Sequence, residues 1–221
     1  MLFAKPTKIG TGAEFWGDYN DLFSLYNTFI KLSSDYQTDE GSCARNEYLL
    51  TLIRSDINNA YRGNKLIDSR IENGFHQYTT YYGFRADWIT ILYTLSSLRY
   101  NAGYIAINEE DLCNLNMFEY CTRKALRLYD DKGAKFIELF INKRIDITSK
   151  YTYIIYQHIL CQYLNTKPSK TRFRGIPQLL ITSNDNNSLR KIITKAEIDA
   201  NIEKCSINDF YFDYDDDTII W

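Results

Sequence analysis

Residues 75–104, FHQYTTYYGFRADWITILYTLSSLRYNAGY, change their periodicity midway, and that change decides the fold. Over 77–84 aromatics and threonines alternate, as in a strand with one buried face. From Asp87 the period becomes helical. Trp88, Ile91, Leu92, Leu95, Leu98 and Ala102 recur at three and four residues until Gly103 ends the run. Arg85 and Asp87 mark the junction. The stretch also concentrates aromatics, Phe75, Tyr78, Tyr81, Tyr82, Phe84, Trp88, Tyr93, Tyr100 and Tyr104, together with His76, one of the chain's 2 histidines. Tyrosine, with an apolar body and a polar tip, suits places where one end is buried and the other meets water or a partner.

Upstream, 65–71 reads as a second strand that pairs with 77–84 around Asn73-Gly74, a dipeptide suited to tight hairpins. A helix over 43–61 carries the stripe Tyr48, Leu49, Leu52, Ile53, Ile57 and Ala60, and Gly63 stops it. Before the polar break 33–42, another helix starts near Asp18, with Leu22, Leu25, Tyr26, Phe29 and Ile30 on one face. The apolar runs 2–4 and 13–16 form a hairpin bridged by Pro6 and Gly10-Thr11-Gly12. Gly10-x-Gly12 lacks the third glycine and the βαβ setting of a phosphate loop, so it reads as a turn.

Downstream, Asn108 caps a long helix whose first turn is acidic (Glu109, Glu110, Asp111) and whose later residues include Arg123, Lys124 and Arg127, as the helix dipole favours. Gly133 is expected to break it, with further helices near 134–142, 148–164 and 189–203. The segment 165–175 is basic and 206–221 is acidic, with an edge strand expected in the latter. The sequence therefore predicts an α+β, predominantly α-helical fold of about six helices, with short β-hairpin elements at the N-terminus and near residues 65–84 and a C-terminal strand. It is expected to form a single domain over 1–221, with 166–221 as a C-terminal appendage.

A chain of 221 residues with net charge −2 and pI near 5.8 offers no global field to nucleic acid or an acidic membrane. The longest apolar run, 151–164, is interrupted by Gln157, His158 and Gln162 and is too short for a bilayer span. The 5 cysteines form no C-x-x-C pair, and no secretion signal is legible at the start, which points to a reducing cytoplasm. No metal site and no cofactor are expected. His76 and His158 have no ligand-spaced companion. The acids at 109–111 and 213–217 read as a helix start and a solvated face. His76 lies in a turn, and the sequence places no partner for it as a general base.

Two groups remain. Tyr78, Tyr81, Tyr82 and Arg85 are candidates for binding a protein partner or a second copy, since Tyr and Arg are enriched in binding hot spots. Lys167, Lys170, Arg172 and Arg174 form a candidate anion site, with Phe173 placed to stack on a base. The acidic total makes nucleic acid the less favoured ligand, and the acidic residues 209–217 are a rival internal partner.

KPTKIGTGAEFWGDYNDLFSLY at the start and YYGFRADWITIL with LRYNAGY in the middle resemble a family of bacterial proteins of unknown function, over about the first 130 residues. That family has no established activity, so the resemblance implies a bacterial cytosolic protein and no site residues. The sequence then favours a non-enzymatic protein-binding subunit, regulatory or defence-associated, acting through an aromatic surface. The alternative is a small enzyme or binding protein for a nucleotide or other phosphorylated ligand, using Arg45, Arg54, Arg62, Arg85 or Arg99 as anion clamps.

Overall fold

The computed structural model describes residues 1–33, 43–72, 77–141, 144–184, 186–205, 207, 212 and 219–221. Strands β1 (Phe3–Pro6), β2 (Gly12–Gly17), β3 (Leu66–Glu72) and β4 (Gln77–Asp87) form one antiparallel sheet of order β1-β2-β4-β3. The two hairpins expected from the sequence are thus halves of one sheet. They join along β2, which is buried throughout and pairs its backbone with β1 on one edge and β4 on the other. Phe15 lies opposite Phe84 with stacked rings 5.3 Å apart, and Gly12 lies opposite Asp87. A Cβ at Gly12 would fall 1.9 Å from the Ala86 carbonyl oxygen, so only glycine permits this approach. The β3–β4 pairing is as expected; its Asn73-Gly74 connection lies outside the described residues.

Around the sheet run α1 (Tyr19–Ser33), α2 (Cys43–Tyr61), α3 (Trp88–Ala102), α4 (Glu109–Ile137), a short 3-10 turn (Glu138–Phe140), α5 (Thr152–Asn165), α6 (Lys170–Asn184) and α7 (Asn186–Glu203). β4 passes into α3 without a loop. Every residue of α3 from Trp88 to Leu98 is buried, so this helix is the axis of the core rather than an amphipathic cover. Asn108 and Asp111 form a reciprocal capping box at the start of α4.

Gly133 does not end α4. The break sits at Asp130, with φ −158° and ψ 97°, whose carboxylate accepts the Gly133 N–H and restarts the helix. The basic segment is irregular only over 166–169 and becomes helix α6 from Lys170. Ser169 accepts the Arg172 N–H at the start of α6, and Phe173, Ile176 and Leu180 recur at helical spacing in the main core. The apolar run 178–181 continues this same helix. Among the described residues of the acidic end no strand is present; most of that end, including the stretch expected to form a strand, lies outside them.

Candidate functional site

The turn between β1 and β2 is the anchor of the site. Gly10 has φ +72°, which directs successive backbone carbonyls toward the helices. Four side chains from four helices bind this turn. Tyr129 of α4 donates to the Ile9 carbonyl at 3.0 Å, and Trp88 of α3 donates to that of Gly10 at 3.0 Å. Tyr163 of α5 shares its hydroxyl proton between the Gly10 and Thr11 carbonyls, each at 3.1 Å. Arg172 of α6 donates to the Thr11 hydroxyl at 2.7 Å and to the Thr166 carbonyl at 3.1 Å, and its guanidinium lies 4.4 Å from the Tyr163 ring centre. Thr11 in turn donates to the Ile220 carbonyl at 2.6 Å, which ties residues 219–221 to the turn. Burial, partly offset by Arg172, pushes the Tyr163 phenol well above its ordinary range.

Beside this anchor, where β4 becomes α3, lies a cavity of about 630 Å³. Asp87, Thr90 and Tyr156 form part of its wall, Arg85 and Lys65 line it, and Ile219 and Trp221 border it. Asp87 is the N-cap of α3. It accepts the Thr90 N–H at 2.9 Å and also the Thr90 hydroxyl, which lies 2.8 Å from the Tyr156 hydroxyl. A carboxylate, a threonine and a tyrosine therefore form one hydrogen-bonded relay. Burial raises the Asp87 pKa, and the Thr90 hydrogen bonds pull only partly the other way.

The cations lining the cavity are already paired. Arg85 donates through Nε and Nη2 to Glu14 Oε1 at 3.0 and 2.9 Å, and Lys65 lies 2.8 Å from Asp56. Lys5 also reaches Glu14, at 3.1 Å. Burial raises the Glu14 pKa, but hydrogen bonds from Arg85 and Lys5 outweigh it and hold the carboxyl below its ordinary range.

The residues singled out from the sequence are dispersed. Tyr81 is only 8% exposed and packs edge-on to Phe3, and Tyr82 is half-buried against the main core. The Tyr78 side chain lies outside the described residues, as does His76. Of the described side chains of that set, Arg85 alone lines the cavity. Of the basic group, Lys167 and Lys170 are exposed, while α6 turns Arg172 inward. Arg174 pairs with Asp130 through two bonds of 2.7 and 2.8 Å. Phe173, expected to be available for stacking, is buried against Trp88 and Tyr129.

The arginines do not converge. Arg54 bonds Thr51, Arg62 lies over Tyr61, and Arg99 donates to Glu119 and Asn116, while the Arg45 side chain is not described. His158 is half-buried, 2.9 Å from Gln162 and edge-on to Phe212. Among the described residues no group of three potential metal ligands occurs, and no helix is long and apolar enough to cross a membrane.

Sequence reasoning found Arg85 and Asp87 but missed Thr90, Tyr156 and the Tyr163–Arg172 anchor. Asp87-x-x-Thr90 before an apolar run is a helix-start pattern and was the one signal available for Thr90. No curated protein and no solved structure matches the chain. A family model does, over residues 2–221, well beyond the segments that carried the resemblance. The chain belongs to the family described as Domain of unknown function (DUF6904).

Proposed function

We propose that this chain is a binding protein for a small polar ligand held in the cavity at the β4–α3 junction. The observation that carries this is the placement of the Asp87–Thr90–Tyr156 relay in the wall of a cavity of about 630 Å³. Drug-sized ligands occupy clefts of about 300–1,000 Å³ with a few convergent polar groups, and perturbed carboxyls concentrate at such sites. A phosphorylated ligand is less favoured than a neutral or cationic one, because Arg85 and Lys65 already neutralise Glu14 and Asp56. A thermal-shift screen of metabolites tests the reading. A ligand at a hundred times its dissociation constant adds about 2.7 kcal/mol of stability. The shift should vanish in Ser55→Trp, which fills the cavity from an exposed position. No shift from any compound at millimolar concentration would refute it.

A protein interface is the second reading, and exposed rings on α4 favour it there over Tyr81 and Tyr82. On α4, Tyr120 and Leu128 are 59% and 61% exposed and flank Arg123, Lys124 and Arg127 around a shallow depression. Tyr120→Ala with Leu128→Ala should then lower the mass seen in sedimentation or abolish capture of a partner, and unchanged association would end this reading.

A further inference from the structure

We propose that the ligand of this cavity carries a protonated amine, recognised by Asp87 and its Thr90–Tyr156 relay; the proposal rests on the cavity being a binding site. The charges described around the cavity are matched except at Asp87. Around the cavity, Lys65 of the turn after α2 faces Asp56 of α2, and Arg85 of β4 faces Glu14 of β2. Tyr156 and Tyr163 approach from α5, the Tyr163 phenol pushed up by burial, and Arg172 of α6 is bonded to Thr11 and Thr166. Among the described buried carboxylates, Asp87 is the one whose hydrogen-bond donors are all neutral, the Thr90 hydroxyl and backbone N–H groups at the start of α3. A buried charge without a counter-charge is disfavoured, and a cation brought by a ligand supplies one.

The hydrogen-bond directions add to this. An ionised Asp87 only accepts, so Thr90 donates its single hydroxyl proton to it. Tyr156 then donates to Thr90 across their 2.8 Å contact. An ammonium group, with three donors and no acceptor, complements the carboxylate at the end of this relay. A carboxylate or phosphate does not.

Three compounds of one shape separate the ligand classes: phenethylamine, 2-phenylethanol and phenylacetate, titrated calorimetrically into the full chain at pH 7. Phenethylamine is expected to bind at least tenfold more tightly than either of the others. Asp87→Asn should erase that preference, and Tyr156→Phe, which leaves the α3 cap intact, should reduce it several-fold. Lowering the pH should weaken phenethylamine binding as Asp87 protonates and leave 2-phenylethanol unaffected. Equal or tighter binding of the alcohol or the acid, or an amine preference that survives in Asp87→Asn, overturns the proposal. If none of the three binds while the metabolite screen gives cavity-dependent shifts, the amine class is wrong and the cavity remains a site. An empty screen removes both.

Discussion

Replacing Gly10 by alanine tests whether the β1–β2 turn anchors the site. Gly10 has φ +72°, and an alanine forced into that left-handed region costs about 1–2 kcal/mol. A Cβ there would fall 1.9 Å from Cζ of Tyr129, so the ring has to leave its place. Its departure breaks the 3.0 Å bond to the Ile9 carbonyl, worth about 1 kcal/mol, and the misfit adds about 1–3 kcal/mol of overpacking. Together these predict a loss of about 3–6 kcal/mol, against a total stability of about 5–15 kcal/mol for a typical domain. Urea titration followed by far-ultraviolet circular dichroism measures it. In a Tyr129→Ala background the steric part disappears, and the same Gly10→Ala change should cost only the backbone share of about 1–2 kcal/mol. A Gly10→Ala protein within about 0.5 kcal/mol of the parent, the range of neutral surface changes, would refute the reasoning.

Arg172→Ala removes two hydrogen bonds and the stack on Tyr163, and should destabilise the chain by about 2–4 kcal/mol in the same assay. Arg172→Met keeps the packed stem and removes a buried charge whose partners among the described residues are a carbonyl, a hydroxyl and a ring, so it should recover much of that loss. The hydrogen bond from Arg174 is the main cause that holds Asp130 down to about 2 from its ordinary 3.8. A depressed carboxyl stabilises above its unfolded pKa and loses that contribution as pH falls through the folded one. The stability gap between the parent and Arg174→Gln should therefore be full above pH 3.8 and close by about pH 2 in acid titrations. Asp87 has the opposite sign. Its raised folded pKa means the parent loses stability relative to Asp87→Asn as pH rises from 3.8 through that value, which parallel thermal melts would show.

The junction at residues 84–88 was legible because two local signals coincide there: alternation ends and helical spacing begins within a few residues. Asp87 adds a cap at that point. The hairpins were legible for the same local reason, but their union was not. Phe15 and Phe84 meet across almost 70 positions, and nothing in either strand's own pattern specifies the other. The segment 165–175 misled because its spaced cations around Phe173 read as an open anion site, whereas burial of Phe173, Ile176 and Leu180 against α4 and α5 makes it a packed helix from Lys170 on. Tertiary packing overrides such weak local preferences. The tyrosines at 81 and 82 were read as surface because alternation cannot say which face another strand covers. β1 covers one of them, through the Phe3–Tyr81 contact. The cavity itself was invisible. Its relay joins Thr90 to Tyr156 over 66 positions, with no motif at either end.

The most direct test of the account is a titration of the Asp87 carboxyl carbon by nuclear magnetic resonance in the full chain, free and saturated with phenethylamine. The free protein should show Asp87 titrating above the ordinary carboxylate range, with burial as the cause. The bound protein should show it titrating clearly lower, because an ammonium beside the carboxylate favours its charged form. An Asp87 signal whose position and midpoint are the same with and without the amine would contradict the claim that this cavity is a site built around that residue.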